Sequence, residues 1–171
     1  QDGTWASTNF GTSTWLFTKT GNTGQNQDAY LKFDTSSLGG AGSVAGAKLR
    51  LNAEASANAN IGVTLYAVSD TGWSEGAITW NNRPSLGGAL AGTTVTGNSF
   101  VYYEFDVGAY LRAEKAAGRN IVAFALHNPA TSGPTVWIRS REATGNRPQL
   151  VITPNEVPTV TLTSPLAGAL F

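Results

Sequence analysis

Seven side chains suited to gripping a carboxylate or lying against a flat ring recur at alternating positions of the chain. They are Tyr30 and Lys32 in "AYLKFD", Lys48 and Arg50 in "AKLRLNAE", and Trp137, Arg139 and Arg141 in "TVWIRSRE". A guanidinium fork meets a carboxylate at two points, and an ammonium meets it as a point charge. An aromatic face covers the apolar side of a sugar ring. If the strands are neighbours, these residues form a patch that suits a polyanion and needs no reaction. The competing reading is that Lys and Arg merely solvate one sheet and pair with Glu54, Glu104 and Glu142. Trp137 weighs against it, because a solvent-facing indole between two Arg positions has little structural purpose.

Catalytic chemistry finds less support. The single His127 lies at the end of an alternating run and reads as a strand-end surface histidine, and no G-x-S-x-G elbow is present. A glycosidase needs two carboxylates flanking one bond. Asp34 and Asp106 each close an "FD" strand ending and read as caps or turn residues. Glu75 reads as an acceptor for loop backbone. The chain has no Cys, which excludes disulfides and thiolate metal sites. No cofactor is required. A structural Ca²⁺ stays open, with Asp2, Asn9, Asp28 and Asp34 as ligands by chemistry alone.

The elements behind these residues are mostly strands. Charged residues make up 13% of the chain against a usual ~25%, while the hydrophobic fraction is 41%. Gly is abundant, and Thr, Ser and Asn are frequent. The formal net charge is zero, which disfavours a globally basic nucleic-acid binder. No run of apolar residues is long enough to span a membrane as a helix. Period-two alternation marks strands at Thr14–Lys19, Ala29–Asp34, Ala47–Glu54, Val63–Val68, Phe100–Val107, Ile121–His127, Thr135–Glu142 and Pro148–Thr153. Turn clusters separate them. This spacing predicts an all-β fold, a jelly-roll β-sandwich of two antiparallel sheets. "DVGAYLRAEKAAGRN" predicts one short helix, with Asp106 as N-cap, Val107, Tyr110, Leu111 and Glu114 at helical spacing, and Gly118 as the terminating glycine.

The absence of Met suggests a piece of a longer chain. The predicted module is 1–153, followed by a linker at 154–158. Residues 159–171, "TVTLTSPLAGALF", resemble the opening strand of bacterial immunoglobulin-like modules and predict the truncated start of a second domain.

"WSEGAITWNNRPSLG" (73–87) carries two of the five tryptophans. Two readings compete: a stacking platform for neutral sugars, or a loop nailed to the core by Trp73 and Trp80, with Ile78 between them and Pro84 shaping the exit. The second is preferred.

In order, "DGTWASTNFGT", "AYLKFDTSSL", "AKLRL", "YAVSDTGWSEGAITWNNRPSLG", "YYEFDVGAYL" and "SREATGNRPQLVIT" closely resemble the DNRLRE-type modules of carbohydrate-binding module family 96. The resemblance covers roughly 1–153 and is strongest in "WSEG" and "ITWNNRP". It implies a non-catalytic jelly-roll module of secreted bacterial polysaccharide-degrading enzymes, with alginate a ligand associated with the family. One departure stands out. A basic residue often precedes "AYLKFD", whereas here Gln27 and Asp28 do. The expectation is therefore a secreted or cell-surface bacterial module that holds an acidic polysaccharide through Tyr30, Lys32, Lys48, Arg50, Trp137, Arg139 and Arg141. Covalently linked catalytic and immunoglobulin-like modules are its expected partners. A structural or adhesive module and a neutral-sugar binder remain as alternatives.

Overall fold

The computed structural model describes residues 1–130 and 133–155. Among these residues nine strands and one α-helix follow one another: β1 (Trp15–Thr18), β2 (Ala29–Asp34), β3 (Val44–Ala55), β4 (Asn60–Val68), β5 (Ala89–Thr96), β6 (Val101–Asp106), α1 (Gly108–Ala116), β7 (Ile121–His127), β8 (Val136–Arg139) and β9 (Gln149–Pro154). One sheet, here sheet 1, has the order β1-β8-β3-β6; the other, sheet 2, has the order β2-β7-β4-β5. β9 continues the β8 edge of β3, pairing with its first half while β8 pairs with its end. All pairings are antiparallel. β1 pairs with β8, β2 with β7, β3 with β6 and β4 with β5. That nested pairing is a long hairpin rolled up on itself, the jelly roll that strand number and spacing predict.

The core lies between the sheets. Leu49 and Leu51 of β3, Leu65 of β4, Phe124 and Leu126 of β7 and Ile138 of β8 are all fully buried there. Burying one such side chain contributes about 1.5–3 kcal/mol. Alternation puts these residues inward and sends Lys48, Arg50, Trp137 and Arg139 outward, because neighbours along a strand face opposite sides.

α1 caps one end of the sandwich. It begins one residue later than its predicted cap: Val107 holds the N-cap position, and the Asp106 carboxylate accepts from the Gly108 N–H at 2.9 Å. Leu111 is fully buried and the Tyr110 ring meets Phe124 at 5.5 Å. Glu114 turns to Arg119 instead of the core. Gly118, at φ +74°, ends the helix in the left-handed region that glycine enters freely.

β5 is the strand that alternation misses. "ALAGTTVT" has Val95 as its only buried side chain, and its small residues carry little periodic contrast. It pairs along β4 at the edge of sheet 2, where burial on one side suffices. At the C-terminus, β9 ends at Pro154, where the predicted linker starts; residues 156–171, with most of that linker and the predicted second-domain strand, lie outside the described residues.

Candidate functional site

The rolled topology divides the predicted residues. Lys48, Arg50, Trp137 and Arg139 stand together on the outer face of sheet 1, because β3 and β8 are neighbours. Tyr30 and Lys32 belong to β2, in sheet 2. The single patch expected from all seven residues is therefore split, for a physical reason: alternation fixes which way a side chain points from its strand but not which sheet the strand joins. Arg141 lies just past β8 and bridges to Glu75 at 2.5 Å and Glu142 at 3.0 Å.

The sheet 1 face is an aromatic platform with cations on it. β1 pairs with β8 so that Phe17 lies opposite Trp137 and Trp15 opposite Arg139. Trp137 meets Phe17 edge-on at 5.3 Å and Trp15 at 5.8 Å, and it stays 37% exposed. The Arg139 guanidinium rests on two rings, 4.1 Å from Trp15 and 4.6 Å from Phe100. It forms no salt bridge among the described residues. The other cations are engaged. Lys48 bonds Glu104 at 2.6 Å, and each holds the other in its charged form: Lys48 is pushed up and Glu104 down by the shared hydrogen bond and their opposite charges. Arg50 lies 4.1 Å over the Tyr102 ring and 3.6 Å from Glu104, a charge contact longer than a hydrogen bond. Lys48 and Arg50 thus have the carboxylate partner that the solvating-and-pairing reading expects, and Arg139 has none among the described residues.

The sheet 2 face is covered by the chain itself. The loop 69–88 folds over β7 and β4, where Trp73 and Leu86 pack on Val68, Ala123 and Ala125. Lys32 donates to the carbonyls of Thr71 and Trp73 and lies 4.6 Å over the Trp73 ring. The Tyr30 hydroxyl donates to the Pro84 carbonyl at 2.7 Å, and burial with the nearby Asp28 charge pushes its pKa up to about 12. Tyr30 and Lys32 therefore act as loop anchors. The preferred reading of the 73–87 stretch is corrected in one respect: Trp73 packs on the outside of sheet 2, not in the core between the sheets, while Trp80 packs on neither cluster and lies against Arg83 at 3.4 Å. A signal for this cover was present in "IVAFALH". A strand apolar on both faces is buried on both, and the outward Ala123 and Ala125 leave room for a loop to lie close.

Between the edge strands β1 and β2, under this loop, lies a cleft of about 160 Å³. Trp15, Tyr30, Trp73 and Trp80 line it, with Asp28, Glu75, Glu142 and Arg83 among its polar groups. Its rim is stapled. The Asn9 side-chain amide donates to the carbonyls of Glu75 and Ile78 at 2.7 Å each, and the Asn81 N–H donates to the Ala6 carbonyl at 3.1 Å. The Glu75 carboxylate bridges to Arg141 instead of capping loop backbone; burial and the Glu142 charge push its pKa up.

His127 is corrected from a simple surface residue. Its Nδ1 lies 2.8 Å from Asp28, whose other oxygen is 3.3 Å from the Arg83 Nε. The Asp28 side chain is only 5% exposed, and this knot joins β2, β7 and the loop beneath the cleft. Sequence spacing gave no hint of it, since 99 residues separate Asp28 from His127.

The four candidate calcium ligands each have their own partners. Asp2 accepts from the Asn26 backbone and side chain, Asn9 holds the rim, Asp28 sits in the knot, and Asp34 accepts from the Ser36 N–H. Asp28 and Asp34 flank opposite ends of β2. Among the described residues no three His, Cys, Asp or Glu side chains converge on a common point. Asp28 and Asp34 are therefore too far apart to share one ion.

The sequence model of carbohydrate-binding module family 96 matches residues 1–154. A gellan lyase from Bacillus sp is 37% identical over 142 residues, a stretch covering 81% of this chain and 6% of that much longer protein. The family match spans the whole sandwich, and the chain belongs to carbohydrate-binding module family 96.

Proposed function

We propose that the outer face of sheet 1 holds an acidic polysaccharide, with alginate or another polyuronate as the first candidate. Arg139 carries this reading. Its guanidinium lies over the Trp15 and Phe100 rings, beside the exposed Trp137, with no carboxylate among the described residues to neutralise it. A fork fixed in place loses little freedom when it meets a carboxylate. Trp137 offers an adjacent ring face for the same sugar, and Lys48 and Arg50 extend the face along β3. In the parent chain the module serves to keep a secreted bacterial polysaccharide-degrading enzyme on its substrate, as the gellan lyase relative suggests.

Each contact of this kind contributes about 0.5–2 kcal/mol, so one module binds weakly and more weakly as salt screens the charges. Electrophoresis through native gels containing alginate, pectate or a neutral glucan tests the reading. Retardation in alginate or pectate that fades with added salt is the expected result. Equal mobility in every gel would favour a structural or adhesive module. Retardation in the neutral gel alone would overturn the acidic preference.

A further inference from the structure

The cleft beneath the loop 69–88 differs in chemistry from the sheet 1 face, and we infer that it is a second carbohydrate site, one that takes a single neutral hexopyranose ring. Size sets the first limit. Its 160 Å³ is below the range of ~300–1,000 Å³ typical of drug-sized ligands, so it admits no more than a single sugar ring, whose outer hydroxyls stay at the open mouth. Charge sets the second. Asp28, Glu75 and Glu142 line the cleft, and the nearby guanidinium groups are engaged: Arg83 by Asp28 and the Trp80 carbonyl, Arg141 by Glu75 and Glu142. A uronate carboxylate entering there meets carboxylates with their cations already paired. A neutral sugar meets the reverse situation, because its hydroxyls donate hydrogen bonds and carboxylate oxygens accept them.

The walls suit a ring. Tyr30 and Trp73 stand edge-to-face at 6.1 Å, and Trp80 is held by its stack with Arg83. The Trp73 indole N–H is buried without an acceptor among the described residues, a polar group the fold leaves unmatched. The asparagine staples on the rim and the knot at Asp28 fix these walls before any ligand arrives, so little ordering is required on binding. Trp15 belongs to both sites, since it lines the cleft and lies under Arg139. A polymer carrying charged and neutral residues would span the two across this indole.

The five tryptophans make the test direct, because each gives its own indole N–H signal in a ¹H–¹⁵N spectrum. The protein is titrated with neutral tetrasaccharides built on glucose, mannose or galactose, and separately with an oligoguluronate. At least one neutral sugar is expected to move the Trp73 and Trp80 signals and leave Trp137 in place, equally at low and high salt. Thr8 also lines the cleft, and Thr8→Phe, which fills it from that wall, abolishes the response. The inference is overturned when no neutral sugar moves Trp73 or Trp80, when the response survives Thr8→Phe in a folded variant, or when the uronate moves those signals instead. Failure of the sheet 1 reading is a separate outcome, read as an unmoved Trp137 signal in the uronate titration.

Discussion

Replacing Arg139 with Ala separates the two roles available to a cation on the sheet 1 face. Its cost to the fold is small. The guanidinium forms no salt bridge among the described residues, so what is lost is its attraction to the Trp15 and Phe100 rings at 4.1 and 4.6 Å. At a partly exposed site each such contact contributes ~0.5–1 kcal/mol. A loss of about 1 kcal/mol lowers Tm by roughly 2–4 °C in a domain of this size. The effect on uronate binding is larger. A hydrogen bond to a charged group contributes ~1.5–3 kcal/mol, and partial exposure places Arg139 at the low end, which is about tenfold in Kd. Arg139→Lys keeps the charge and loses the fork, so its Kd falls between those of the native protein and the Ala variant while the salt dependence persists. Lys48→Ala is the contrast. Its ammonium is already bonded to Glu104 at 2.6 Å on an exposed surface, so its removal changes Kd by about twofold or less. Calorimetric titration of the four proteins with an oligoguluronate, at low and physiological salt, measures all of this. An Arg139→Ala variant that melts normally and binds like the native protein would refute the assignment, as would a Lys48→Ala variant that binds worse than Arg139→Ala.

Three further outcomes follow from the packing around the cleft. Asp28→Asn removes the charge that Arg83 and His127 share at a 5%-exposed position and is expected to cost about 1–3 kcal/mol, seen as a lower urea midpoint with an unchanged slope. Gly11→Ala places a Cβ in clash with the Glu75 carbonyl oxygen, so the rim must shift; the measurement is faster hydrogen exchange at the residue 11 N–H, which in the native protein bonds Asn9, and a native exchange rate would show that the rim is not rigid. Asp2 is buried, which alone would raise its pKa, but hydrogen bonds from the Asn26 side chain and from the Gly24 and Asn26 backbone outweigh this and hold it below the ordinary value of 3.8. Its stabilisation is therefore present above the unfolded pKa and lost as pH falls through the folded one, so Asp2→Asn lowers stability at neutral pH and flattens the melting curve's decline below about pH 4.

The sequence revealed faces better than neighbours. Alternation placed Leu49 and Leu51 inward and Lys48 and Arg50 outward, as the structure has them, because that assignment depends only on the geometry of one strand. The same rule sent Tyr30 and Lys32 outward from β2, again correctly, but their sheet depends on the pairing of β2 with β7, which lies about 90 residues away. No local pattern encodes that pairing. The Asp28–His127–Arg83 knot was hidden for the same reason. β5 was hidden for another, since Gly, Ala and Thr give an edge strand too little contrast for alternation to register.

The missed cover on sheet 2 changes where a ligand can lie. A β-sandwich has two outer faces, and a binding strand needs one that its own chain leaves open. Over β7 and β4, Trp73 and Leu86 occupy the surface, and Lys32 and Tyr30 use their polar groups to hold the loop. Any polymer there would first have to displace these contacts. Over β8 and β3, Trp137 is 37% exposed and Arg139 has no paired carboxylate among the described residues. The loop that closes one face also forms the wall of the cleft, and Trp15 on the edge strand touches both the cleft and the open face. The "WSEGAITWNNRP" stretch thus has two structural effects. It covers sheet 2, and it places an aromatic recess beside the platform of sheet 1.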